Sequence, residues 1–508
     1  MTQRLVGRKL KPFVIVLGTL FASIYICFVN LHKIHHIVEH HGVGVISNVP
    51  PLPDIPLESI DITGIQEATR LLYKKSNQLD YWIHQPPPKV YIYQTLPQEM
   101  SVASVSKCID ERYNSRTSKQ QATCGWFPQV CDELSSSSNP HYNVYRDNFN
   151  SDVVLIHRFS TYPHVTQDPN SADFFVVPYP HRSHCFCKND NTKKMYSCSY
   201  SFSYIQEHVL SKLPYYNITS KSRHLFMLGS DFALSNPPFR REVPFHLSTG
   251  PADGCRPNRH SNGKIWTELC GSITVPFVNT NRDYQPDSVT KRSDDWWITR
   301  PRKYAMAVIL GTPPQLGVRR DLMKRQHELF GGNISDLPIV IQDIGTRQRF
   351  LTQHHQVMQT YQDTVFCPTL AGDDCGQKRF FDVIMSGCIP VVLSYQDSDE
   401  PSWASWFKPG LCSIRRSFPY SRGTFYGDSA AGIDYTEFVV QVNGTCGLEC
   451  IKSTLEGIMN TPNELKRMRM ALKRYAHLFS YGLEESSGTS VDAFSALLVS
   501  IRHYLSCL

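Results

Sequence analysis

The sequence predicts an α/β protein with two domains built around parallel sheets. Apolar, β-branched segments alternate with helical patterns, and a polar segment at 282–302 divides two such runs. The chain has 508 residues, more than one compact core usually holds. Its formal net charge of +7 is mild, and no dense run of lysine and arginine is present, so nothing favours a nucleic-acid partner.

The N-terminus predicts a single membrane anchor. Residues 13–29 carry no charge, and basic residues precede them at positions 4, 8, 9 and 11. This distribution keeps a tail, 1–12, in the cytoplasm and places the remaining chain in the lumen. A cleaved signal peptide is the alternative, but 30–36 contain no run of small residues for cleavage. The short span is typical of early secretory membranes and indicates the Golgi.

Cysteines and sequons also favour a lumenal location. The chain has 16 cysteines, many of them close together, as in Cys185/Cys187 and Cys446/Cys450. An oxidising compartment converts such pairs into disulfides. We expect Cys367 and Cys388, which lie in apolar strand contexts, to be buried free thiols. Three sequons predict glycosylation at Asn217, Asn333 and Asn443.

Residues 30–88 predict a stem, because proline-rich segments act as semi-rigid spacers. A helix is expected within it at 66–79. The first α/β domain then covers 89–290, and the second covers 291–508. Strands are predicted at 89–93, 151–156, 173–178, 224–228, 304–310, 339–341, 365–367 and 391–393. Helices are predicted at 204–213, 347–361, 451–460 and 464–479.

The stretch 366–393 is the most informative part of the chain. A strand leads into a loop that contains Gly372, and Lys378 and Arg379 begin a short helix before the next strand. A helix N-terminus attracts phosphate, and the two cations would neutralise a diphosphate. Asp382 lies on the same helix face as Arg379 and would accept hydrogen bonds from ribose hydroxyls. An Arg–Asp pair in an ordinary α/β turn is the alternative, and spacing alone leaves both open.

Several segments accompany this motif in a fixed order. They are Ala172–Pro178, His224–Asp231, Ala307–Gly311, Val318–Leu322, Phe366-Cys367-Pro368, Gly372-Asp373, the basic pair before Phe380-Phe381-Asp382, and Ser386-Gly387-Cys388-Ile389-Pro390-Val391. Together they resemble the exostosin family of glycosyltransferases, family 47, which includes heparan-sulfate polymerases and plant cell-wall transferases. The resemblance runs from about 90 to 480 and is densest in the C-terminal half.

The resemblance implies a type II Golgi protein of GT-B architecture, in which two Rossmann-like domains face a cleft. It implies inverting transfer of a sugar from a nucleotide donor, usually UDP-linked, that the C-terminal domain binds. Carried over by motif, Arg319, Lys378 and Arg379 would hold the diphosphate, and Asp382 the ribose. Arg319 could instead pair with a nearby acid. Glu400 would approach the donor, as an acid in the family's corresponding loop does.

Inverting transfer requires a general base that deprotonates the acceptor hydroxyl. Asp231 is the first candidate, because it ends a predicted strand and matches the family's acid position. A strand-end aspartate is also a common turn residue. Phe232-Ala233, which follows it, departs from the family's aromatic–glycine pattern. His181 is a second candidate.

Two segments contain residue types that bind metals. Asp397-Ser398-Asp399 follows a predicted strand, and an Asp-x-Asp there could bind Mn²⁺. Its position after the donor helix favours an ordinary acidic loop. The segment 181–187 with Cys198 has zinc-ligand types, which an oxidising lumen would convert to disulfides. We therefore expect no required metal or cofactor, with the leaving group stabilised by fixed cations and a helix end.

These observations predict a Golgi glycosyltransferase that uses a UDP-sugar to extend or decorate a polysaccharide or glycoprotein glycan. The alternative is a non-catalytic glycan-binding or scaffold subunit that retains the fold. The sequence leaves open whether the chain forms homo- or hetero-oligomers.

Overall fold

The structure is a computed structural model, and the residues that it describes belong to a compact unit spanning Leu57–Leu508. The described residues are 60–101, 104–105, 151–181, 184, 202–228, 242–249, 258–259, 265–266, 272–278, 284, 286–310, 317–343, 356–370, 377–396, 406–408, 412–425, 427–482 and 491–508. Two parallel sheets with helices packed around them organise this unit. The predicted α/β class is therefore confirmed.

The first sheet has five parallel strands in the order β1-β2-β3-β4-β7. Its strands are β1 (Val90–Ile92), β2 (Phe174–Val177), β3 (His224–Met227), β4 (His246–Ser248) and β7 (Ser272–Thr274). Strands β5 (Asn258–Arg259) and β6 (Ile265–Trp266) form a separate antiparallel pair. Every residue of β2, β3 and β4 is buried, as expected for a parallel sheet covered on both faces.

The second sheet has six strands in the order β15-β12-β11-β8-β10-β9, and all neighbours are parallel except β9 and β10. Its strands are β8 (Tyr304–Leu310), β9 (Asn333–Ile334), β10 (Leu337–Asp343), β11 (Thr364–Pro368), β12 (Ile389–Ser394) and β15 (Val440–Asn443). Strands β13 (Trp406–Lys408) and β14 (Cys412–Ser413) pair antiparallel. The central strands β8, β11 and β12 are long apolar runs buried on both faces.

The α-helices with defined bounds are numbered α1 to α11 along the chain. They are α1 (Ile60–Leu72), α2 (Leu79–Ile83), α3 (Ser151–Ser160), α4 (Phe202–His208), α5 (Pro286–Thr290), α6 (Gly317–Phe330), α7 (Lys378–Met385), α8 (Ile414–Ser417), α9 (Glu449–Met459), α10 (Pro462–Tyr475) and α11 (Ala493–Ser506). Residues 356–362 are also helical, and Asp295–Thr299 form a π-helical turn. Short 3₁₀ turns lie at Gln98–Met100, Leu210–Lys212, Lys221–Arg223, Tyr435–Glu437 and Ala476–Phe479.

One predicted strand is wrong. Residues 151–156 belong to helix α3, and all six are buried. A short apolar run of β-branched residues suits a buried helix as well as a buried strand, and periodicity alone does not separate the two. The other predicted strands are confirmed at their cores, and the predicted strand at 304–310 coincides with β8.

The predicted stem is too long. Helices α1 and α2 lie within 30–88, and both contribute buried side chains to the main core, including Leu72, Tyr73 and Trp82. The single helix expected at 66–79 is replaced by these two helices, with a turn between them. Residues 60–88 are therefore part of the folded unit, because their apolar faces pack on the C-terminal helix. Residues 30–59 lie outside the described residues.

Helix α11 was missed by sequence reasoning, and it packs against elements of the first sheet. Its Tyr504 ring stacks on Phe245 at 4.3 Å between centroids, and its Phe494 ring meets Phe159 at 4.9 Å. Asp492 caps the helix and forms a buried ion pair with Arg158 at 3.1 Å. The end of the chain, predicted within the second domain at 291–508, thus joins the side of the molecule that holds the first sheet.

Two disulfides are present among the described cysteines. Cys446–Cys450 confirms a predicted pair. Cys367–Cys388 corrects the expectation of two free thiols. Parallel pairing of β11 with β12 brings the two Cα atoms to 5.9 Å, within the range of a disulfide. Within the described part of the chain, Cys507 is the free cysteine.

No helix in the described part of the chain combines the length and the apolar character needed to cross a membrane. The predicted anchor at 13–29 lies outside that part.

Candidate functional site

The candidate site lies at the carboxyl edge of the second sheet. Helix α6 follows β8, and helix α7 connects β11 with the neighbouring parallel strand β12. Both helices therefore begin at the edge where their preceding strands end. Ligands of open α/β sheets bind at this edge, where helix N-termini converge.

Arg319, near the start of α6, holds together the two ends of the loop that precedes α7. Its Nη2 donates to the Leu370 carbonyl at 3.0 Å and to Gln377 Oε1 at 2.9 Å. Gln377 Nε2 donates to the same Leu370 carbonyl at 3.0 Å. Arg319 is thus at the predicted edge of the sheet, and these bonds give it a role in positioning the loop. Gln377 was missed, because its role depends on a contact between two helices.

Lys378 and Asp382 form a buried ion pair within α7. Lys378 Nζ lies 2.8 Å and 3.0 Å from the two carboxylate oxygens, and the residues are 8% and 2% exposed. Sequence spacing suggested that Asp382 would face Arg379, but the pair forms with Lys378 four residues away. The charge of Lys378 is therefore matched inside the helix. Losing either partner would leave a buried charge without compensation.

Arg379 differs from Lys378 in the partners of its side chain. Its Nη1 atom is buried, and among the described residues it has no hydrogen-bond partner. Burial raises the pKa of the Tyr361 phenol to about 12, while the Arg379 guanidinium opposes that rise. The Asp382 carboxylate raises the same pKa, and Arg319 lowers it. Four side chains from three helical segments therefore lie close together, and Tyr361 is a site residue that sequence reasoning missed.

The start of α7 is also uncapped by its own N-cap residue. The side chain of Gln377 bonds to Leu370 and Arg319 and makes no capping bond to the helix. A helix N-terminus carries about half a positive charge, and its first N–H groups lack partners within the helix. An unpartnered buried donor costs about 1–3 kcal/mol. The Arg379 donor beside this helix start is suited to bind an oxyanion.

The amino edge of the same sheet is closed by the Ser386-Gly387-Cys388 segment. Gly387 has φ +71°, and a Cβ there would lie 2.8 Å from a ring carbon of Trp296. Ser386 Oγ and the Tyr284 hydroxyl are 2.8 Å apart. This part of the family-like motif therefore fastens the end of α7 to the core, since only glycine fits the close approach.

Several arginines surround Trp296 at this amino edge. The guanidinium carbons of Arg292, Arg300 and Arg302 lie 4.1, 5.9 and 5.5 Å from its ring centroid. Arg292 donates to the Met385 carbonyl, and Arg302 donates to those of Gln362 and Gly387. Arg300 pairs with Asp363 at 2.7 Å. Burial lowers the pKa of Arg302 to about 9, and the charge of Arg469 lowers it further. These cations satisfy carbonyls at helix ends.

The remaining predicted site residues divide into two groups. Asp231, Gly372, Glu400, Asp397 and Asp399 lie outside the described residues, as do Cys185, Cys187 and Cys198. His181 is described and fully buried, and its backbone N–H donates to the Tyr179 carbonyl at 2.8 Å. Among the described residues, no three His, Cys, Asp or Glu side chains are grouped as metal ligands would be. Asn217, Asn333 and Asn443 are all exposed.

A comparison with protein families gives one match. The family model described as Exostosin GT47 domain matches residues 84–400, which is well over half of the chain. The matched region includes α6 and α7 and all four described residues of the predicted site. A search among curated proteins returned no match.

Proposed function

Since the chain belongs to the exostosin family of glycosyltransferases, family GT47, we propose that it transfers a sugar with inversion from a UDP-linked donor. The family makes the chain an enzyme of the glycosyltransferase class, and it implies a nucleotide-sugar donor and a glycan acceptor. The proposed acceptor is a growing polysaccharide or a glycoprotein glycan. The two parallel sheets support the further proposal of a GT-B arrangement.

One observation carries the donor proposal: the buried, unpartnered Nη1 of Arg379 lies beside a helix start that its N-cap side chain does not cap. A diphosphate supplies the oxygens that both groups lack, and an arginine fork matches phosphate oxygens well. We infer that Arg379 and the first N–H groups of α7 bind the diphosphate. The same contacts would stabilise the UDP leaving group as the sugar departs.

The neighbouring residues take supporting roles in this proposal. Lys378 and Asp382 neutralise each other in the buried first turns of α7, so we assign them to hold the helix. This changes the predicted direct contacts of Lys378 with phosphate and of Asp382 with ribose. Arg319 and Gln377 fix the ends of the donor loop at Leu370. A well-held first turn keeps the Arg379 donor in place.

The acceptor side rests on the resemblance. Asp231 is the proposed general base, which removes the proton of the acceptor hydroxyl as that oxygen attacks the anomeric carbon. Glu400 is a proposed donor contact. We propose a lumenal Golgi location with an N-terminal anchor, and the disulfides Cys367–Cys388 and Cys446–Cys450 support an oxidising compartment.

A donor screen tests the function. The full-length protein in detergent is incubated with a panel of UDP-sugars and glycan acceptors, and free UDP and glycosylated acceptor are both measured. We expect both products to form in equal amounts with one donor. Binding of UDP without turnover of any donor would favour the alternative, a non-catalytic subunit that retains the fold. An Asp231→Asn variant should then lower kcat while donor binding stays intact.

A further inference from the structure

Two large apolar side chains are exposed beside the sequon at Asn217. Tyr215 is 39% exposed and Ile218 is 83% exposed. Apolar surface in water carries a cost of about 25 cal/mol per Å². A sugar attached at Asn217 would be the nearest group able to cover this surface, because it begins two residues from Tyr215 and one from Ile218.

The ring of Tyr215 is held in place from below. It stacks at 6.1 Å on Tyr93 and on Phe175, and it meets Tyr91 edge-on at 5.6 Å. These three partners belong to or flank strands β1 and β2 of the first sheet. The exposed part of the ring is therefore a fixed apolar surface, and a contact with it would order few additional bonds.

The turn that carries Asn217 brings the sequon back towards Tyr215. Ser220 Oγ donates to the Tyr215 carbonyl at 2.6 Å and accepts from the Asn217 N–H at 3.1 Å. Asn217 Oδ1 accepts from the N–H and the hydroxyl of Thr219 at 2.9 and 2.6 Å. The amide oxygen is thus held, and the Nδ2 atom, on an exposed residue, remains for attachment.

We propose that Asn217 carries an N-linked glycan whose first sugar packs its apolar face on the exposed ring of Tyr215. In the attachment step, Asn217 Nδ2 loses a proton and bonds to the anomeric carbon of a lipid-diphosphate-linked oligosaccharide, and the lipid diphosphate departs. A sugar presents axial C–H groups on one face, and these suit the negative face of an aromatic ring. The inference depends on the proposed lumenal location and is independent of the donor site.

The sequon at Asn443 provides an internal control. Asn443 Oδ1 accepts from the N–H and the hydroxyl of Thr445 at 3.0 and 2.7 Å, as in the first sequon. Its aromatic neighbour is covered, because a Cβ on Gly444 would lie only 2.5–2.6 Å from atoms of the Tyr395 ring. A glycan at Asn443 would therefore find that face of the ring occupied by the chain itself.

A double-mutant cycle tests the contact. The full chain is produced in a eukaryotic secretory host, and peptide mass spectrometry measures the occupancy of each sequon. Urea unfolding is then compared for wild type, Tyr215→Ala, Thr219→Ala and the double variant, where Thr219→Ala removes the sequon. The Thr445→Ala variant, with and without Tyr215→Ala, is the matched control, and Tyr215→Phe keeps the ring.

We expect Asn217 to be occupied. Tyr215→Ala should raise the unfolding equilibrium constant about 3- to 10-fold more with the glycan than without it. The excess should persist in the Thr445→Ala background, and Tyr215→Phe should show none of it. An unmodified Asn217, or an equal effect of Tyr215→Ala in both backgrounds, would overturn the proposal. Loss of glycan at all three sequons would also overturn the lumenal location, whereas donor turnover is measured separately.

Discussion

Arginine side chains gather at both ends of the six-stranded sheet, but their donors meet different partners. At the amino edge, Arg292 and Arg302 donate to carbonyls at helix ends, and Arg300 pairs with Asp363. At the carboxyl edge, Arg379 Nη1 has no partner among the described residues, beside an uncapped helix start. Cation density alone therefore does not identify an anion site. The partners of each cation do, and that distinction predicts which substitutions affect folding and which affect the donor.

The largest effect on stability should come from the paired cation of the carboxyl edge. Replacing Lys378 with Met leaves the Asp382 carboxylate buried without its partner, which costs about 3–5 kcal/mol. The double variant Lys378→Met/Asp382→Leu removes both charges and should recover most of that stability. Urea unfolding of the two single variants and the double variant measures this. Additive losses in the double variant would show that the two residues act independently.

The unpartnered cation should show the opposite behaviour. Arg379→Ala removes contacts with a diphosphate worth about 2–5 kcal/mol, so kcat/KM for the donor should fall at least about 30-fold. The midpoint of thermal unfolding should change little, because the Nη1 atom has no protein partner to lose. Arg302→Ala at the amino edge should lower stability and leave the KM for the donor unchanged. Identical profiles for the two variants would remove the distinction between the two ends.

The glycine at the amino edge gives a third contrast. Gly387→Ala places a methyl group 2.8 Å from Trp296 at a positive φ, and this should cost about 1–3 kcal/mol. Gly457 lies within helix α9, and no atom lies within 4 Å of an added Cβ. Gly457→Ala should therefore stabilise the protein by about 0.5–1 kcal/mol. Thermal unfolding of both variants provides the comparison, and a stable Gly387→Ala variant would mean that Trp296 moves away freely.

The smallest expected effect is that of a chelator. Because cations and a helix end are proposed to stabilise the UDP leaving group, EDTA should leave donor turnover unchanged. Turnover is measured with and without EDTA, followed by addition of Mn²⁺. Loss of activity with recovery on Mn²⁺ would assign a metal role to Asp397 and Asp399, and it would move the centre of leaving-group stabilisation away from Arg379.

Local signals in the sequence located much of this architecture. Strand β8 is a seven-residue apolar run after a polar segment, and its predicted bounds coincide with those observed. The loop, basic pair and helix between β11 and β12 were likewise predicted, because glycine and helix-start signals act over a few residues. The family-like motif therefore placed Lys378, Arg379 and Asp382 on one helix near one edge of the sheet.

Contacts between distant segments were not predictable in the same way. Asp382 has basic residues three and four positions before it, and both spacings place them on one face, so only packing selects Lys378. The Cys367–Cys388 bond depends on the register of two strands. Tyr361 and Gln377 meet the site through helix contacts, and α11 reaches the first sheet across most of the chain. Sequence patterns describe single elements, whereas these features arise from their assembly.

Calorimetric titration of UDP tests the central claim most directly. The full-length wild type, Arg379→Ala and a control, Arg325→Ala, are compared at one ionic strength. Arg325 also lies in an α-helix, α6, but its guanidinium pairs with Glu328 and Glu449, each at 2.9 Å. We predict equal Kd values for wild type and Arg325→Ala, and a Kd at least about 30-fold higher for Arg379→Ala with unchanged thermal stability. Equal UDP affinity in all three proteins would contradict the assignment of Arg379 to the diphosphate.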